Sequence, residues 1–269
     1  MVPGTNTHPV TSELIYNGRM RPCSSDLIWT TLVRAVTAAA LLCVPIDGVR
    51  AQPPLRIAVA ANFRDAAGAV AARFQRERGI PISISSASTG VLASQLQRGA
   101  PFDVLLAADR QRPNALAEAG HALGEPICYA VGRLVLLGAS SANWRTELGN
   151  SERSLAMANP RSAPYGQAAL AVLERADVAD ARQRRVVMGS NVQQTFQFWH
   201  SGAADLALVA RSLSPENGVL IPADWHEPIE QYALISSAST RPQQARAFLD
   251  YLGKPAQPLL QARGYEACP

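Results

Sequence analysis

The stretch LRIAVAANFRDAAGAVAARFQRERGIPISISSASTG, residues 55–90, decides the fold class. Leu55-Arg56-Ile57-Ala58-Val59-Ala60 is an apolar run with the length of a buried strand. Phe63, Ala67, Val70 and Phe74 then recur at intervals of four, three and four, so the period switches to that of a helix. Gly79 closes this segment, because glycine accepts the left-handed backbone that ends helices. Asn62 stands at the junction with Asp65 three residues on, which predicts an N-cap and an acidic first turn. Ile80–Ser85 supplies a second strand, and the small polar cluster Ser86-Ala87-Ser88-Thr89-Gly90 follows it.

The same alternation continues outward. Leu92 and Leu96 mark a short helix ending at Gly99, Phe102–Ala107 is a third apolar strand, and Asp109 caps a helix running to Gly120. Further strands are expected at Arg133–Leu137, Leu155–Ala158, Val186–Met188, Leu206–Val209 and Tyr232–Ile235. Helices are expected at Tyr165–Arg175, Asn191–His200 and Pro242–Leu252. Strands alternating with helices across short loops predict an α/β protein with mainly parallel sheets flanked by helices.

The N-terminal fifty residues differ from the rest. Met20 and Arg21 precede the apolar run Ala35–Val44, and Val49-Arg50-Ala51 gives a small-x-small pattern before Gln52. The run is too short to span a bilayer, so 1–51 reads as a secretory signal with an N-terminal extension, cut after Ala51. A buried N-terminal helix is the competing reading. Leu42 is too bulky to precede a lipidated cysteine at Cys43. Processing would leave 218 residues containing Cys128 and Cys268. An even pair in an exported chain is compatible with one disulfide or with two buried thiols.

Composition narrows the function. A net charge of +4 with scattered basic residues and a single lysine, Lys254, gives no basic stripe for nucleic acid. His8, His121, His200 and His226 are dispersed, without metal-ligand spacing to one another or to cysteine. Asp103 and Asp109 form a conceivable acid/base pair, but a strand start and a helix cap account for them, and no nucleophile elbow or phosphate-loop lysine occurs. The residues therefore give an enzyme no support, and no cofactor is expected. A regulatory sensing domain of similar fold would follow a DNA-binding helix-turn-helix, whereas a signal-like segment precedes this one.

In open α/β sheets ligands sit at the carboxyl ends of strands beside helix starts. Four such junctions here are small or hydroxylated: Ala60-Ala61-Asn62, Ser88-Thr89-Gly90, Ala163-Pro164-Tyr165-Gly166 and Ser190-Asn191-Val192. Each presents free backbone N–H groups at the positive end of a helix dipole. Singly, each is an ordinary cap; converging, they make an anion site without Arg or Lys.

Those junctions also carry a family resemblance. Ala58-Val59-Ala60-Ala61-Asn62-Phe63, Ala87-Ser88-Thr89-Gly90 and Gly99-Ala100-Pro101-Phe102-Asp103-Val104 with Ala107-Ala108-Asp109 resemble the molybdate-binding proteins of ABC importers. So do Tyr129-Ala130-Val131-Gly132-Arg133-Leu134-Val135-Leu136 and Gly264-Tyr265, so the likeness runs from about Leu55 to Tyr265. The resemblance implies a two-lobe type II periplasmic binding protein fold. Lobe 1 would be 52–131 plus 232–269, and lobe 2 would be 132–231. It implies a monomer in the periplasm that delivers molybdate or tungstate to a membrane permease, with sulfate as the alternative cargo. It places the ligand on Ala61, Asn62, Ser88, Thr89, Tyr165 and Val192. A tyrosine donor that some members carry falls on Ala210 here, while Asn62 and Tyr165 stand where those members have serine and alanine. Molybdate offers four acceptor oxygens and no proton at neutral pH, so a site of donors alone suits it: the N–H groups of Ala61 and Val192, the Asn62 amide, and the Ser88 and Thr89 hydroxyls. Phosphate keeps a proton and wants an acceptor as well.

Overall fold

The computed structural model describes residues 52–176 and 184–269. The expected signal segment, 1–51, lies outside the described residues.

Two five-stranded mixed sheets organise the chain. β1 (Leu55–Ala60) pairs in parallel with β2 (Ile82–Ala87) on one side and β3 (Val104–Ala107) on the other. Between β1 and β2 runs helix α1 (Arg64–Arg78), which ends on Gly79 at φ 69°, in the left-handed region the sequence reserved for it. α2 (Thr89–Gln97) and α3 (Gln111–Glu118) follow β2 and β3. β4 (Ile127–Gly132) then leads out of this sheet, and β5 (Leu134–Leu137) opens the second.

The second sheet contains β5, β6 (Leu155–Ala158), β7 (Val186–Gly189), β8 (Leu206–Ala210) and the short β9 (Val219–Leu220), in the order β7-β6-β8-β5-β9. α4 (Trp144–Gly149) precedes β6, α5 (Pro164–Arg175) follows it, and α6 (Val192–His200) follows β7. β10 (Ile229–Ile235) returns to the first sheet, antiparallel between β3 and β4, giving the order β2-β1-β3-β10-β4. α7 (Pro242–Gly253) and the single turn α8 (Gln257–Gln261) complete the chain.

Burial explains why the strands read as unbroken apolar runs. Every residue of β3, β5, β6 and β8 is buried, as expected for strands covered on both faces. β2 is an edge strand, and its Ile-Ser alternation follows from having one face in contact with α1. On one face of the first sheet, Phe63 and Phe74 of the α1 side pack edge-on against Tyr129, Tyr265, Phe248 and Tyr251. Leu92, Leu96, Leu105 and Leu116 fill the other face.

Several local expectations are adjusted. The strand read at Ile80–Ser85 begins at Ile82 and runs to Ala87, because Pro81 has no N–H and supplies only its carbonyl, to the Leu55 N–H at 2.7 Å. Asn62 does not cap α1: it sits in a 3-10 turn, Ala61–Phe63, and the helix starts after Phe63 with no side-chain cap. Asp109 does act as a cap, accepting the Arg112 N–H at 2.8 Å and the Arg112 guanidinium at 2.6 Å. Asp103 is fully buried and structural, accepting the Arg56 N–H at 2.8 Å and the Ser239 hydroxyl at 2.8 Å. Neither aspartate is placed for acid/base work.

Cys128 and Cys268 form a disulfide, with 6.1 Å between their Cα atoms and a sequence separation of 140. It ties the C-terminal segment to β4, where Val131 and Glu266 also exchange two backbone hydrogen bonds of 2.8 and 2.9 Å.

Candidate functional site

The carboxyl ends of β1, β2 and β3 face those of β6 and β7 across a small cavity. Its walls are Ala60, Ala61 and Asn62 after β1, Ser88 and Thr89 after β2, Ala108 after β3, Ala163, Pro164 and Tyr165 after β6, and Asn191 and Val192 after β7. All six residues singled out in the sequence are therefore brought together. The cavity is tight: its water-accessible volume is about 10 Å³, about the room that one water needs and far below the roughly 300–1,000 Å³ of pockets that take organic molecules. Among the described residues, no wall residue is ionisable in the physiological range. The cavity is lined by donors and small apolar groups, with the starts of α2, α5 and α6 directed at it.

The state of each donor follows from its hydrogen bonds. The Ser88 hydroxyl and the Tyr165 hydroxyl are buried and have no partner among the described residues, a situation that usually marks a missing ligand or water. Thr89 Oγ1 accepts the Ala108 N–H at 3.0 Å, which leaves its own proton free to donate. At α6 the Asn191 side chain caps the Gln194 N–H at 3.0 Å, so Val192 and Gln193 keep N–H groups without an intrahelical acceptor. Tyr165 is 2% exposed, and burial, with Tyr265 nearby, pushes its phenol well above the usual range, the neighbouring Asn62 amide opposing the shift without making a hydrogen bond of normal geometry to it. It is a neutral donor throughout the physiological range.

Asn62 departs from the expected role. Its amide nitrogen already donates to Gln231 Oε1 at 2.8 Å and to the Tyr265 hydroxyl at 3.0 Å, so both amide protons are engaged. The Tyr265 hydroxyl donates back to the Asn62 carbonyl at 2.8 Å, and the Ser212 hydroxyl donates to the same carbonyl at 2.9 Å. Gln231 Nε2 in turn donates to the Ile229 carbonyl at 2.8 Å. Asn62 is thus the hub of a buried network that joins the turn after β1 to β10, to the C-terminal segment and to the turn after β8. Ala210, the last residue of β8, is fully buried and presents a methyl group, as its identity requires.

Ala108 lines the cavity, and Gln231, Tyr265 and Ser212 adjoin its walls through Asn62, though reading the sequence did not assign them to the site. Tyr265 belonged to a recognised Gly-Tyr pair, but Gln231 and Ser212 carry no local signal. They reach the site only because β10 and β8 cross the fold beside it.

The two halves also touch directly across the cavity rim. The Gly90 N–H donates to the Ser162 carbonyl at 2.9 Å. A Cβ on Gly90 would lie 3.0 Å from that oxygen, so a larger residue would hold the two backbones apart. A wider polar groove of about 460 Å³ opens beside the cavity, lined by Arg64, Ser86, Ser190, Asn191, Gln193, Gln194 and others, with Arg64 its one charged wall residue among the described residues. On another side the rim carries Asp109, Arg110 and Glu227. Among the described residues no cluster of three or more His, Cys, Asp or Glu exists that would hold a metal ion directly.

Comparison with known proteins fits this geometry. The family described as bacterial extracellular solute-binding protein matches residues 55–266, essentially all of the described chain. The chain belongs to that family. Among its solute-binding relatives, the molybdate-binding protein ModA of Azotobacter vinelandii is 37% identical over 225 residues, covering 78% of this chain and 89% of the relative. ModA of Rhodobacter capsulatus is 34% identical over 217 residues, covering 77% and 86%. The solved periplasmic molybdate-binding protein of Azotobacter vinelandii superposes with a TM-score of 0.76 at 32% identity, covering 80% of this chain and all of that one. The sulfate-binding protein SubI of Mycobacterium tuberculosis shares the solute-binding protein fold, with a TM-score of 0.67, at 14% identity.

Proposed function

We propose that this solute-binding protein is the periplasmic component of an ABC importer and captures molybdate or tungstate as the intact oxyanion. The observation that carries the reading is a cavity of neutral donors, with no wall residue among the described residues charged at neutral pH, met by three helix starts. Identities of 37% and 34% to two molybdate-binding proteins support the cargo.

In this reading lobe 1 comprises 52–131 plus 232–269 and lobe 2 comprises 132–231. Segment 1–51 directs export, and the protein works as a monomer that hands its ligand to a membrane permease. The donors are the backbone N–H groups of Ala61 and Val192 and the hydroxyls of Ser88, Thr89 and Tyr165. Asn62 holds the lobe 1 side of the site in register through Gln231 and Tyr265, and turns its amide to the ligand only by exchanging one of those bonds. The dianion's charge is met by three helix dipoles and charge-assisted hydrogen bonds, each worth about 1.5–3 kcal/mol. Binding on one lobe followed by closure brings in donors of the other, and the closed shape is what the permease reads. No bond is made or broken, so the protein is not an enzyme.

A thermal-shift panel of molybdate, tungstate, sulfate, phosphate and chromate tests this. Molybdate and tungstate are expected to raise Tm strongly and the others weakly or not at all. Stabilisation by sulfate alone overturns the cargo assignment.

A further inference from the structure

Tyr165 approaches the crossing between the two sheets at one particular residue. Gly132 ends β4, immediately before the chain enters β5. A Cβ built on Gly132 would collide with the Tyr165 hydroxyl oxygen and would stand 3.1 Å from Tyr165 Cζ and 3.2 Å from Gln231 Nε2. Gly132 is not among the glycines with positive φ, so its backbone is open to any L residue. What the position requires is space, not conformational freedom.

The surroundings give that space a purpose. Tyr165 belongs to the start of α5 on the second sheet, while Gly132 and Gln231 lie on the two strands, β4 and β10, that link the sheets. Gln231 sits at a register shift in the β10–β4 pairing, is fully buried, and accepts from Asn62. The Tyr165 hydroxyl, which no described residue partners, is thereby seated against both linking strands and beside the Asn62 network.

We propose that Gly132 is a positioning residue for ligand binding: the volume left by its missing side chain is the seat of the Tyr165 hydroxyl, and it sets where that donor stands when the lobes close. The proposal rests on the reading of Tyr165 as an oxyanion donor. Filling the seat displaces the phenol hydroxyl from the linking strands. The consequence is a loss of affinity in a protein that still folds, caused by a methyl group on a residue that contacts no ligand.

The test is a double-mutant cycle on the full chain, with sodium molybdate affinity by calorimetry and ligand-free Tm as separate readouts. Gly132→Ala is expected to weaken molybdate at least ten-fold. Tyr165→Ala also weakens it, and adding Gly132→Ala in that background is expected to change Kd less than two-fold, since the collision has gone. If Gly132→Ala alone does not fold but the double variant folds and binds as Tyr165→Ala does, the steric pairing stands. Wild-type affinity in Gly132→Ala, an undiminished loss in the double variant, or failure of both to fold overturns the proposal. Tyr165→Phe separates the underlying reading: unchanged Kd there removes Tyr165 as a donor, whatever the Gly132 cycle gives.

Discussion

Ser88 and Thr89 are adjacent hydroxyl residues on one cavity wall, yet their removal is expected to have different signatures. Ser88 Oγ has no partner among the described residues, so Ser88→Ala breaks no bond in the ligand-free protein. It does remove a donor to a dianion, which costs about 1.5–3 kcal/mol of binding, or roughly a 10- to 150-fold rise in Kd. Ligand-free stability stays level or rises slightly, because a buried polar group without a partner is lost. Thr89 Oγ1 instead accepts the buried Ala108 N–H at 3.0 Å. Thr89→Val orphans that N–H at about 1–3 kcal/mol, and at about 2–4 °C per kcal/mol for a chain of this size Tm falls measurably. Its affinity for molybdate falls as well. Calorimetry with molybdate and ligand-free thermal melts on both variants separate the two effects. Wild-type affinity in Ser88→Ala would show that its hydroxyl does not reach the ligand. A fall in its ligand-free Tm as large as that of Thr89→Val would show a structural hydroxyl and refute the argument from the missing partner.

Three further outcomes follow from the structure. Reducing the Cys128–Cys268 disulfide, or replacing both cysteines with serine, releases a loop closed across 140 residues; a loss of about 2–5 kcal/mol is expected in denaturant melts. Burial raises the phenol pKa of Tyr129, Tyr165 and Tyr265 above the unfolded value; the unfolded chain then loses these protons first, so their stabilising contribution is complete below about pH 10 and is lost as pH rises above it, which Tm against pH between 8 and 12 will read. Arg64 is the charged wall residue of the groove beside the cavity, whereas another rim carries Asp109, Arg110 and Glu227; Arg64→Gln is expected to slow molybdate association several-fold at low salt and to flatten its ionic-strength dependence, leaving dissociation unchanged in stopped-flow fluorescence.

The sequence by itself determined the strand–helix alternation, because the change from a continuous apolar run to a 3.6-residue period is local, as from Leu55–Ala60 to Phe63–Phe74. It also marked the four junctions where donors gather, since helix starts leave N–H groups free wherever they occur. Less regular elements escaped it: β4 mixes buried and exposed residues, and α4 and β9 are too short to show a period. The tertiary structure alone decided which donors are free. Asn62 looked like a cap and a ligand donor, but its amide is held by Gln231 and Tyr265, residues 169 and 203 positions away. Ser88 and Thr89 are indistinguishable as neighbouring hydroxyls until the Ala108 N–H selects one of them. Gly132 reads in the sequence as part of a motif without a reason, and only the approach of Tyr165 from the other sheet gives it one. A hydrogen bond or a collision depends on what the fold brings alongside, and for these residues that neighbour is distant in the chain.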